Sequence, residues 1–126
     1  PLFFAVLAAN ALAGIPDWQA DLAVMKKSVA VMFGPQIAVM LAICAVCMAF
    51  ISAAFLLSLG VIRMSPLYWW LLVLPHGLTL LYFLIDLLRS KYFDRRIDGI
   101  MALALGYIIW FGILPLISFL QVESKP

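Results

Sequence analysis

The sequence predicts an all-α integral membrane protein with about four transmembrane helices plus a short interfacial amphipathic helix. Three observations carry that expectation. Of the 126 residues, 67% are hydrophobic and 11% charged, against roughly 45–50% apolar and about 25% charged in a soluble domain. Too little polar surface remains to cover such a chain in water. The charges fall in short clusters, leaving charge-free runs of 16, 35, 22 and 24 residues at 1–16, 28–62, 64–85 and 99–122. These runs also lack the period-two alternation of a membrane strand. The same composition argues against a disordered tail, a soluble enzyme and a nucleic-acid reader, and a net charge of +2 offers no basic field for nucleic acid.

Each run is then read against the roughly 20 apolar residues needed to cross a bilayer as a helix. The first, at about 2–15, is short: sixteen residues reach only about 24 Å. Either residues precede Pro1 or this helix is short. Ala11-Leu12-Ala13 resembles a signal-peptidase site, but no basic stretch leads into it, so the segment is read as a span. The second run is too long for one span, and Gly34-Pro35 divides it, since proline lacks an N–H and disfavours helix in the residue before it. This places a span at about 36–60. It leaves 17–33 either as a plain connecting loop or, on its spacing, as an interfacial helix with Asp17 at the N-cap, Leu22, Met25, Val29 and Met32 on its apolar face and Trp18 as its anchor. The third and fourth runs give one span each, at about 66–89 and 98–120.

Basic residues set the orientation. Lys26, Lys27, Arg89, Lys91, Arg95 and Arg96 fall on one side of a four-span topology, with Arg63 and Lys125 on the other. Six against two puts 17–33 and 89–98 in the cytoplasm, with the chain in the cytoplasmic (inner) membrane. Tyr68, Trp69 and Trp70 then make an aromatic anchor at the outer boundary of the third span.

Within the spans, Ala38, Ala42, Ala45, Ala49 and Ser52 repeat at spacings of 4, 3, 4 and 3, a small-residue seam in heptad rhythm. In lipid, close approach along small residues is a main route to tight helix packing. Gly99, Ala102 and Gly106 form a shorter seam on the last span. Either seam serves the chain's own helices or a larger partner. Cys44 and Cys47 form a C-x-x-C with no neighbouring charge, so they read as two small packing side chains.

Pro75-His76-Gly77 lies near the middle of the third span, where proline should kink the helix. His76 is the one ionisable group at that depth. It is open to three readings: a hydrogen bond to a neighbouring helix, contact with a haem, pigment or quinone, or a transport role. A bis-histidine haem would take its second histidine from a partner. Asp86 and Arg89 are spaced to pair on one helical face. Asn10, Tyr107 and Trp110 are candidate interhelical contacts, and Pro115 should bend the last span. No nucleophile with a base, no paired carboxylates and no phosphate-binding loop can be assembled, so no enzyme, metal site or resident cofactor is expected. The natural reading is a non-catalytic small subunit that packs against a larger membrane partner.

The stretch Ser65-Pro66-Leu67-Tyr68-Trp69-Trp70-Leu71-Leu72-Val73-Leu74-Pro75-His76-Gly77, followed by an apolar helix ending in Leu87-Leu88-Arg89, resembles the small membrane (Q-type) subunit of TRAP transporters. Ile15 to Lys27 is loosely similar to the amphipathic arm of that family, with Asp21-Leu22 where the family often has Asp-Leu. The likeness covers about residues 15–90. On this alignment the family's first helix is absent, its polar stretch before the arm is not reproduced by Gly14-Ile15-Pro16-Asp17, and the last span is an addition. The resemblance implies a subunit that braces a large elevator-type permease for sodium-driven uptake of organic acids, with no substrate-binding residue of its own. The alternative is an accessory or anchor subunit of a respiratory or photosynthetic complex.

Overall fold

A computed structural model describes residues 1–61, 69–90 and 96–123, with residues 69, 70, 114, 115, 117, 118 and 121–123 described by backbone alone. The chain is all-helical, without a strand among the described residues. Its elements are α1 (Leu2–Ala13), α2 (Trp18–Ala23), α3 (Val29–Phe33), α4 (Pro35–Ser58), α5 (Leu74–Arg89), preceded by a π-helical turn at Trp69–Val73, and α6 (Ile97–Glu123). Two helices, Pro35–Ser58 and Leu71–Arg89, are long and apolar enough to cross a membrane by length and composition, two fewer than the charge-free runs predict. Leu2–Ala13 and Ile97–Ile113 are apolar but shorter. At twelve residues, α1 spans about 18 Å of a core about 30 Å thick.

Helices α1, α4, α5 and α6 close into a ring. α1 packs on α4 and α6, and α5 packs on α4 and α6. Their buried positions follow spacings of three and four: Ala38, Ala42, Ala45 and Ala49 on α4, Gly77, Leu80, Leu84 and Leu87 on α5, and Ile100, Ala104, Tyr107 and Phe111 on α6. That rhythm keeps one face of each helix turned inward, as in left-handed bundles. α1 and α4 make the broadest contact, and alanines occupy the buried face of both, with Ala5, Ala8 and Ala11 on α1. Small side chains let the two backbones approach closely, which is where dispersion is gained when lipid supplies no hydrophobic drive.

Gly34 sits at φ 90°, in the left-handed region that a side chain rarely adopts. It turns the chain so that Pro35 starts α4 in the first turn, where its missing N–H costs nothing.

The segment 17–33 is not one helix. Met25, at φ 55°, ends α2, and Ser28 starts α3 by accepting a bond from the Val31 N–H at 3.3 Å. The residues on the expected outer face explain the break. Asp21 is buried and pairs with Lys26 at 3.2 Å. In a continuous helix, residues five apart do not meet; breaking the helix brings them together. Leu22, Met25 and Met32 of the expected apolar face are exposed, and Ala30 is buried against the bundle. Asp17 stands at the cap position of α2 without a side-chain cap bond.

Pro75 also behaves differently from expectation. It lies in the first turn of α5, and the backbone changes from π to α winding just ahead of it. The wide turn absorbs the missing donor, so the helix continues from 71 to 89.

Candidate functional site

The polar centre of the bundle is a joint between α5 and α6. The two helices run antiparallel, as the pairs His76–Leu103, His76–Trp110 and Asp86–Arg96 show. His76 projects from the first turn of α5 onto α6. Its Nε2 donates to the Leu103 carbonyl at 2.8 Å, and the Trp110 indole N–H donates to its Nδ1 at 3.2 Å. An indole nitrogen can only donate and a carbonyl can only accept. The ring's hydrogen therefore sits on Nε2, and the tautomer is set by its partners. Both nitrogens are occupied, so a metal or pigment would reach His76 only by breaking one of these bonds.

The backbone of α6 is reachable because Gly106 has no side chain. A Cβ there would stand 3.0 Å from His76 Cε1. The arrangement is reciprocal: a Cβ on Gly77 would stand 3.2 Å from the Tyr107 hydroxyl. Each large ring, His76 on α5 and Tyr107 on α6, fills the gap left by a glycine on the other helix. The two rings lie 5.7 Å apart, and Tyr107 meets Phe111 edge-on at 4.8 Å, an arrangement favoured by the ring quadrupoles.

Gly106→Ala should therefore force the imidazole aside. A loss of about 1–2 kcal/mol is expected, as for other overpacked sites. Gly99→Ala and Gly112→Ala meet nothing within 4 Å and should be neutral or slightly stabilising. Unfolding midpoints in mixed detergent micelles would check both signs.

Of the residues expected to pack helices, Ala38, Ala42, Ala45 and Ala49 are buried within the chain, and half-buried Ser52 donates to the Ala49 carbonyl at 3.1 Å. On the last helix Gly99 and Ala102 are exposed, and within that short seam it is Gly106 that meets α5. The inward face of α6 lies about one residue round and carries bulkier side chains, Ile100, Tyr107 and Phe111. Trp18 is half-buried against the core. Trp69 and Trp70 contribute backbone to the π-helical turn. Their side chains, together with Arg63, Tyr68, Lys91, Arg95 and the rest of 62–68, lie outside the described residues, as does the side chain of Pro115. Arg89 is exposed at the end of α5.

Asp86 pairs with Arg96 across the hairpin, not with Arg89 as its spacing suggested; the pair is partly exposed and contributes little. Asn10 is exposed, so it serves no contact within the bundle. Cys44 and Cys47 are free thiols. Sequence reasoning missed the Leu103 carbonyl as the partner of His76, the unpaired Tyr107 hydroxyl and the Asp21–Lys26 pair. A signal for the first was present, since His76-Gly77 and Gly106-Tyr107 are mirror dipeptides of one large and one absent side chain. The chain matches no protein-family model, no curated protein and no solved structure.

Proposed function

We propose that this protein is a non-catalytic small subunit of the cytoplasmic membrane, whose four long helices span the bilayer and brace a larger integral membrane partner. The 17–33 and 89–98 segments face the cytoplasm in this reading. The observation that carries it is the outward face of the bundle. Large apolar side chains, among them Phe3, Ile51, Phe55, Leu78, Ile109 and Phe119, stay exposed on every long helix. A soluble monomer rarely leaves apolar patches beyond a few hundred Å2. A lipid-facing subunit needs that surface everywhere.

Asn10 supports a protein neighbour as well as lipid, because an amide turned outward from an apolar helix is costly unless another chain satisfies it. In its specific form the partner is the large permease of a TRAP-type uptake system, as the 65–77 stretch suggests. The alternative role, an accessory or anchor subunit of a respiratory or photosynthetic complex with His76 as a haem, pigment or quinone contact, is disfavoured by the two bonds that occupy the imidazole.

The test is purification of the tagged full chain in mild detergent, followed by mass spectrometry of what accompanies it. A stoichiometric multi-span protein is expected, with Asn10→Leu reducing its recovery. A chain that stays monodisperse in buffer without detergent, or that carries out its whole task alone in vesicles, would sink the reading.

A further inference from the structure

At the Asp86–Arg96 end of the α5–α6 hairpin is a groove of about 340 Å3, lined by Phe83 of α5, by Arg96 just ahead of α6, and by Gly99, Ile100 and Leu103 of α6. Its two ends differ in chemistry. Phe83, Ile100 and Leu103 are apolar, whereas Arg96 carries a charge, and neither Asp86 nor Asp98 lines the groove. Arg96 Nη1 donates to the Asp86 carboxylate. A guanidinium carries five N–H donors, more than one carboxylate can take up.

Packing within the bundle does not account for this arrangement. The pair with Asp86 is partly exposed, and such pairs contribute little to stability. Gly99 is disfavoured in a helix relative to alanine, yet a Cβ there would meet nothing within 4 Å. It therefore does not admit a neighbouring ring, as Gly77 and Gly106 do. Residues 96, 99, 100 and 103 share one face of the helix, and the missing side chain leaves that face open between Arg96 and Leu103.

Depth narrows what an occupant can be. α5 ends at Arg89 and α6 starts at Ile97, so Arg96 stands at the edge of both helices. From there to Leu103 is about 10 Å along the helix axis. With both helices across the bilayer, the guanidinium lies at the headgroup boundary and Leu103 within the hydrocarbon. A matching ligand is anionic at one end and aliphatic at the other. A soluble phosphate meets only the first requirement, and a neutral hydrocarbon only the second. Basic pockets between membrane helices on the cytoplasmic side are suited to anionic lipid headgroups.

We propose that this groove seats one anionic phospholipid of the cytoplasmic leaflet, its phosphate on Arg96 and the upper part of one acyl chain over Gly99, against Phe83, Ile100 and Leu103. The proposal rests on the membrane reading above and on no identity for the larger partner.

Native mass spectrometry of the full chain in mild detergent, titrated with phosphatidylglycerol or with phosphatidylcholine of the same acyl chains, tests it. One phosphatidylglycerol is expected to saturate a single site, bound about fivefold more tightly than phosphatidylcholine, the effect of one arginine on an anionic headgroup. Arg96→Gln should abolish the preference, and Asp86→Asn should increase it by releasing the guanidinium from its carboxylate. Gly99→Leu should fill the groove and remove saturable binding, with an unfolding midpoint close to the parent's. Should Arg96→Gln fail to fold, Asp86→Asn and Gly99→Leu decide the matter.

Equal retention of the two lipids, a preference that survives Arg96→Gln, or saturable binding that survives Gly99→Leu would overturn the proposal. So would displacement of phosphatidylglycerol by glycerol phosphate at equal concentration, which would make this a site for a free phosphate. A co-purified protein cross-linking from Gly99→Cys, with Cys44 and Cys47 replaced by alanine, would make it a protein contact and overturn the proposal too. A chain that stays monodisperse without detergent sinks this proposal together with the membrane reading. A membrane-inserted chain without a lipid preference sinks this proposal alone.

Discussion

Replacing Ala45 and Ala49 together with leucine is expected to drive α1 off the bundle. Ala49 is fully buried, Ala45 is 3% exposed, and α4 makes its broadest contact with α1. A leucine at either position brings three extra carbons into a seam built for methyl groups. Overpacking of this kind costs about 1–3 kcal/mol per site. Residues four apart share the same displaced helix, so the two costs will not simply add. Unfolding of the isolated subunit, by denaturing-detergent titration in micelles, should shift strongly, with Ile51→Leu on the exposed side of α4 as a neutral control. If the double variant unfolds like the parent and only fails to recover its partner, the seam serves the partner instead.

The second large effect is expected at His76. Alanine there removes two interhelical hydrogen bonds, strands the Trp110 indole N–H and empties the space over Gly106. Polar contacts between membrane helices average about 0.6 kcal/mol and reach about 1.7. Truncating a large side chain at a packed site adds a cavity cost, so a total loss of about 2–4 kcal/mol is expected. His76→Phe keeps most of the volume and loses only the bonds, which should cost about half as much. An NMR spectrum of the labelled indoles separates the causes: the Trp110 N–H signal should move in both variants, while the stability loss differs between them.

The helical skeleton was legible because long charge-free runs leave few polar side chains to interrupt an apolar helix, so they mark where the helices lie. α4 at Pro35–Ser58 lies where the charge gap and Gly34-Pro35 predict 36–60, and α6 starts at Ile97 where 98 was expected. The alanine seam was legible for a related reason: small residues at spacings of three and four fall on a single helical face, and such a face lets another backbone come close. Its recipient was not: nothing in residues 1–16 announces that α1, with Ala5, Ala8 and Ala11 buried, is the helix on which α4 packs most broadly.

The arm at 17–33 was misread because Leu22, Met25, Val29 and Met32 do recur at helical spacing. Periodicity cannot register a left-handed residue at Met25 or a carboxylate drawn inward by a lysine five residues on. His76 stood out as a lone ionisable group, yet its chemistry is decided by a carbonyl twenty-seven residues away, and backbone atoms carry no signature in sequence. Arg96 in place of Arg89 as the partner of Asp86 has the same origin, a hairpin that only the fold brings together.

The interlocked rings on α5 and α6 also limit how this hairpin can move. Sliding one helix along the other by a single turn, about 5.4 Å, would set His76 against Ala102 or Trp110 in place of Gly106. It would meet a methyl group or an indole where the native register offers an open backbone. The pair behaves as a key in its slot: axial shear is opposed, and a load applied at one end of the hairpin must tilt both helices together as one lever.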